Sequence, residues 1–290
     1  MIVLLYASFS RIRKSIYSLS MLVGYFFRGG GRTSFFGPLA LSSSSHKALS
    51  SSSHKTLKSP RHTRIKMARV EHPWGHTVFT CIEGTRKRFK TEKGDIELIT
   101  NPVFGRMLFI DGVLQSAEAD EAIYHTTLAR LSNKHYLPST GLNYLVAGGA
   151  EGAMARELFK YFPKKITMVD WDEELVEYMK GEVWHKGAFL DSRLSIYHED
   201  ILSFLERGGT YDGIIIDLFD PEKDTVEWLY RVIVAGRECL RNGSSLVSNV
   251  GGDKEIAGYL CNKLRAFSPV VEAVYIPSFQ GDWYFLSLRK

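Results

Sequence analysis

Four times between Asn143 and Leu240 the chain passes through a short apolar segment, a turn and an amphipathic stretch, always in that order. The apolar segments are NYLVAGG, ITMVD, RLSIYH and YDGIIID; AMARELFKYF, EELVEYMK, ILSFLER and a stretch from about Trp228 to Leu240 follow them in turn. Short apolar runs of this kind suit strands buried on both faces, whereas the segments after them repeat their apolar positions at helical spacing. Few architectures accommodate such alternation. It predicts an α/β domain in which helices cover both faces of a parallel sheet. Upstream, from Val78 to about Gln115, segments such as GDIELI and GRMLFIDG alternate with Gly and Asp at their turns, which predicts a small antiparallel sheet. A helical stretch over 117–131 joins the two.

Charge divides the chain unevenly. No Asp or Glu precedes Glu71, while 12 Lys and Arg lie between Arg11 and Arg69; the remainder carries 25 basic and 32 acidic residues. The basic balance of the whole therefore belongs to the first segment, and the body is acidic. An acidic body argues against nucleic acid and suits a polycationic ligand, although it also serves solubility. Residues 1–66 contain the near-duplicate octads SSSSHKAL and SSSSHKTL and no core-forming pattern. Abundant Ser and basic residues without acids predict a transit peptide for a plastid or mitochondrion. A secretory signal and a translation start at Met67, which would leave a cytoplasmic protein, are the alternatives. The apolar runs Met1–Tyr6 and Met21–Phe27 are too short to span a bilayer. Cys81, Cys239 and Cys261 are far apart and form no CxxC pair, which speaks against a disulfide framework or a zinc site. The expected organisation is a leader over 1–66, a small β domain over 67–116 and the α/β domain over 117–290.

In open α/β sheets ligands bind beyond the carboxyl ends of the strands. The first strand of this body ends in Gly148-Gly149-Ala150-Glu151-Gly152, where small residues let the backbone approach a ligand or merely allow helix packing. The second ends in Asp170-Trp171-Asp172, about 20 residues beyond the glycines, the separation at which an acid receives ribose hydroxyls. No phosphate-reading GxGxxG is present, so a nucleoside without pyrophosphate is expected. Glu199-Asp200 ends the third strand, within reach of an adenine amino group, and Asp217-Leu218-Phe219-Asp220-Pro221 ends the fourth with two carboxylates and a proline. Each acid could equally cap the helix that follows it.

The runs LFIDGVLQSAEADEAIYH, GGAEGAMAREL, VDWDEELVEY, DLFDP and IPSFQGDWYF occur in that order between residues 78 and 290. Together they resemble the successive signatures of the polyamine aminopropyltransferases, the spermidine/spermine synthase family. DLFDP and IPSF with its following Trp are similar to the thermospermine branch. The resemblance implies a Rossmann-like, methyltransferase-type parallel sheet behind a small antiparallel β domain. It also implies transfer of an aminopropyl group from decarboxylated S-adenosylmethionine to a polyamine, with no prosthetic group and no metal, in a homodimer. By position, Asp217 would be the base. Gly148, Gly149, Glu151, Asp170, Glu199, Asp200 and Pro221 would hold the donor. Tyr124, His125, Glu151, Asp220, Phe279 and Trp283 would hold the acceptor. The chain departs from the family at Gly94, where Gln is usual, at Ala150 and Trp171, and at Glu222–Thr225, where a Gly-Pro loop is usual. An S-adenosylmethionine methyltransferase on the same scaffold and a weakly catalytic polyamine-binding paralogue are the competing readings.

Overall fold

In the computed structural model of the chain, residues 65–69, 78–133 and 141–290 are described. Expectations for residues 1–64, the transit peptide included, fall outside them. Residues Ser59–Lys290 belong to one compact unit.

Six strands come first. β1 (Ile65–Arg69) pairs antiparallel with β2 (Val78–Ile82), and β3 (Lys87–Lys90), β4 (Asp95–Asn101), β5 (Gly105–Ile110) and β6 (Val113–Ala117) form a four-stranded meander. β1 starts at Ile65, opposite Ile82, so ordered structure reaches two residues into the segment expected to be leader. Ala117 closes β6, and helix α1 (Glu121–Ser132) starts four residues later than its apolar pattern alone would place it.

The rest of the chain wraps a seven-stranded sheet. Its parallel strands are β7 (Asn143–Ala147), β8 (Lys165–Val169), β9 (Leu194–Tyr197), β10 (Tyr211–Ile216) and β11 (Leu240–Asn249), alternating with α2 (Ala153–Phe159), α3 (Glu173–Lys180), α4 (Ile201–Glu206) and α5 (Val226–Glu238). After α6 (Lys254–Lys263), β12 (Val270–Ile276) and β13 (Gly281–Arg289) complete the order β12-β13-β11-β10-β7-β8-β9, with β13 antiparallel to both neighbours. This antiparallel edge is absent from the repeat that the sequence displays. Strand pleating splits the core. Tyr144, Val146 and Ile215 face a layer with α1, α2 and the meander, whereas Leu145, Ala147, Ile214 and Ile216 face α4, α5 and α6. Asp212, a buried acid within β10, is matched: it accepts the Asn143 N–H at 2.9 Å and pairs with Arg241 at 2.7 Å. The meander is fastened to α3 by the Thr91 hydroxyl, which donates to Asp172 at 2.8 Å, and by Phe89 stacked 4.1 Å from Tyr178.

Strand order reverses between β7 and β10, the switch point at which α/β sheets open a crevice. The two strands stay locked past their ends, because the Asp217 N–H donates to the Ala147 carbonyl at 2.8 Å. Gly148 makes this closeness possible. Its φ is +87°, and a Cβ there would lie 1.9 Å from the Asp217 carbonyl oxygen.

Candidate active site

A small cleft opens at that switch point. Gln115, Ser116 and Ala117 wall it from the end of β6, and Asp120, Glu121, Tyr124 and His125 from the start of α1. Glu151, Asp217 and Phe279 complete it. Four carboxylates thus meet in one small space, and none of the lining residues is Lys or Arg.

Burial governs their protonation. Asp217 is pushed up to about 7, chiefly by desolvation and further by the charges of Glu151 and Asp220, against the opposing hydrogen bond that Tyr124 Oη donates to its Oδ1 at 2.7 Å. Asp220 rises to about 6 through burial, opposed by the Asn249 amide, which donates to it at 3.3 Å. Glu151 is raised by burial too, although the Ser116 hydroxyl and its own backbone N–H work the other way. His125 moves oppositely: burial, with the charge of Arg156, pushes it down to about 3, so at neutral pH the ring is uncharged. Its Nε2 stands 3.7 Å from Glu151 and 3.9 Å from Asp217, which makes these polar contacts rather than ion pairs. Arg156 offsets Glu121, but no Lys or Arg among the described residues pairs with Asp120, Glu151 or Asp217, and an incoming ammonium would favour their ionised forms.

Phe279 lines the cleft, and Trp283 lies behind it, 3% exposed and stacked at 4.2 Å. The Trp283 indole N–H donates to Asn249 Oδ1 at 2.9 Å, as does the Gly251 N–H. With Oδ1 committed to two donors, the Asn249 amide must face Asp220. Pro221, also buried, packs near Gly251.

On the other side of β7, Gly148 and Gly149 turn with positive φ. Asp170 is buried beside them. It accepts from the Asp172 N–H at 3.0 Å and from the Ala150 N–H, and burial raises it to about 6. Glu199 and Asp200 end β9 differently. Glu199 forms a two-pronged pair with Arg207, and Asp200, exposed, caps α4 by accepting the Ser203 N–H at 2.9 Å. The departures also have structural reasons. A Cβ at Gly94 would meet Ile110 Cγ2 at 2.9 Å, Trp171 is 63% exposed under the Lys93 ammonium, and Glu222–Thr225 closes as a tight turn into α5.

Sequence reasoning brought Tyr124, His125, Glu151, Asp217 and Phe279 to one place, and it missed Asp120, Glu121, Gln115, Ser116 and Asn249 as site residues. For the first two a signal existed: Asp120 and Tyr124, like Glu121 and His125, are four apart and share a helix face. Asn249 had none. Among the described residues, no group of three His, Cys, Asp or Glu is placed to hold a metal ion, and no helix is long and apolar enough to cross a membrane.

A parallel sheet with carboxylates at its switch point and an acidic cleft beside them defines a Rossmann-like enzyme domain built for a cationic ligand. Comparison with known proteins makes the class specific. The model of the spermine/spermidine synthase domain matches residues 121–290. A polyamine aminopropyltransferase of Saccharolobus islandicus is 35% identical over 215 residues, 68% of this chain and 69% of its own length. Polyamine aminopropyltransferase 2 of Hyperthermus butylicus is 33% identical over 200 residues, 63% of each. The spermidine synthase of Thermotoga maritima shares the fold, with a TM-score of 0.65 at 18% identity over 81% of this chain and 83% of its own. A spermidine synthase in complex with the transition-state analogue AdoDATO superposes likewise, with a TM-score of 0.66 at 18% identity over 80% and 82%. The chain belongs to the spermine/spermidine synthase family, the polyamine aminopropyltransferases.

Proposed function

We propose that the chain transfers the aminopropyl group of decarboxylated S-adenosylmethionine to an amine of a linear polyamine and releases methylthioadenosine. The observation that carries this reading is the cleft itself: four carboxylates, no cationic side chain, and at its inner end a carboxyl poised near neutrality.

The chemistry demands such a group. Alkyl amines have pKa values near ~10, so at neutral pH the nucleophilic nitrogen arrives protonated and must lose a proton before it can attack. Asp217 accepts that proton. The amine lone pair then forms a C–N bond at the propyl carbon as the C–S bond breaks, and the sulfonium leaves as a neutral thioether. Alignment of nitrogen, carbon and sulfur supplies much of the acceleration. Tyr124 holds Asp217 in place through its hydroxyl, while neutral His125 contributes polarity without repelling the ammonium. Asp170, beside the glycine turn, receives the donor's ribose, and Asp200, which caps α4 through Oδ1 alone, offers Oδ2 to its adenine.

For the acceptor we favour spermidine, giving thermospermine, on the likeness of DLFDP and the IPSF segment; putrescine, giving spermidine, is the competing substrate. Family resemblance supports a homodimer, and the composition of residues 1–66 supports plastid or mitochondrial import. The test is product analysis after incubation with decarboxylated S-adenosylmethionine and putrescine, spermidine or spermine separately. Methylthioadenosine is expected in equal amount to an elongated polyamine, thermospermine from spermidine. No methylthioadenosine with any acceptor would remove the proposed activity, and spermidine from putrescine alone would reassign the acceptor.

A further inference from the structure

The four carboxylates of the cleft are not equally free. Glu121 is occupied by Arg156 and by the indole N–H of Trp184, Glu151 by the Ser116 hydroxyl, and Asp217 by Tyr124. Asp120 differs. It stands at the N-cap position of α1, where an Asp ordinarily accepts N–H groups of the first turn, yet its side chain makes no capping bond. It is 4% exposed, its Oδ2 accepts the Ser278 N–H at 3.2 Å, and its Oδ1 has no hydrogen-bond partner. The Ser278 hydroxyl, close enough to favour the ionised carboxylate, makes no directed bond either. A buried carboxylate oxygen that forgoes an available cap and remains unpaired is costly unless something else completes it.

Geometry says what that partner is. Asp120 and Tyr124 occupy one face of α1 at successive turns, and Tyr124 reaches on to Asp217. Phe279, next to Ser278, meets the Tyr124 ring edge-on at 6.4 Å. An apolar wall therefore runs between two carboxylates, complementary to methylenes between two nitrogens. We infer that Asp120 is the specificity-determining residue that receives the non-reacting ammonium of the acceptor, while Asp217 receives the reacting amine. This rests on the proposed function for the identity of the ligand.

Asp120→Asn keeps the shape and the acceptor for Ser278 N–H while removing the charge. Calorimetric titration of the full chain, saturated with methylthioadenosine, with spermidine and with putrescine would measure acceptor binding without turnover. The expected result is at least tenfold weaker binding of the preferred polyamine, with methylthioadenosine affinity unchanged and melting temperature not lowered. In steady state the acceptor KM should rise by a similar factor and kcat change less than threefold. Polyamine affinity within twofold of wild type would overturn the assignment, as would a loss explained by a lower melting temperature that Asp120→Glu fails to rescue. A wild-type chain that binds polyamine through Asp120 without transferring an aminopropyl group would leave this inference standing and sink the proposed activity. A wild-type chain that binds no polyamine would sink both.

Discussion

Asp217 carries two opposed consequences of one burial. A carboxyl that titrates near 7 is a well-matched base at neutral pH, but its charged form destabilises the folded chain. Its folded-state pKa exceeds the ordinary 3.8, so between about pH 4 and pH 7 the folded chain binds more protons than the unfolded one, and stability falls as pH rises through that window. Asp217→Asn cannot ionise and escapes this loss. The variant is expected to be about 1–2 kcal/mol more stable than wild type at pH 8 in the absence of ligands, with the gain vanishing below about pH 4. Its turnover should fall by ~10² to 10⁴. Thermal melts across pH and initial rates check the pair. Near-normal turnover at pH 7 would take the proton-acceptor role away from Asp217, and a variant less stable at pH 8 would contradict the burial argument.

Among the elements, the joint between β7 and β10 matters most, because it brings the glycine turn and Asp217 together. Gly148→Ala would place a methyl group against the Asp217 carbonyl, at a φ that L residues rarely adopt. Backbone lies on both sides, so no side chain can give way. The expected loss is about 2–4 kcal/mol of stability, together with a fall in kcat larger than that of a variant equally destabilised elsewhere. Denaturant melts and kinetics separate the two effects, and wild-type stability would show that the strand ends tolerate spreading. Helix α1 is the other decisive element. Its first two turns supply Asp120, Glu121, Tyr124 and His125, while Leu128 and Leu131 anchor its later turns in the core.

At the scale of the whole molecule, the compact unit Ser59–Lys290 includes β1, which pairs along its five residues with β2. A chain started at Ser59 is expected to melt within about 2 °C of the full chain and to keep full activity. One started at Val70 loses β1, leaves β2 without its partner, and should melt about 3–8 °C lower. Equal melting temperatures would show that β1 contributes nothing to the unit. Sequence alone determined the β7–β10 alternation and the acids at strand ends, because strand and helix periodicities are local and the parallel crossover rule leaves few ways to assemble them. It also brought Tyr124, His125 and Asp217 into one site through the family's signatures. Tertiary structure decided what each acid does. Asp200 and Asp170 look alike as residues ending a strand, yet one is exposed and caps a helix while the other is buried beside the glycine turn. Asp120 looks like an ordinary N-cap and is turned instead to the cleft by the Ser278 N–H, 158 residues away. Asn249 is held toward Asp220 by Trp283 and Gly251. Such assignments depend on burial and on partners far along the chain, and those exist only once the sheets have closed around the cleft.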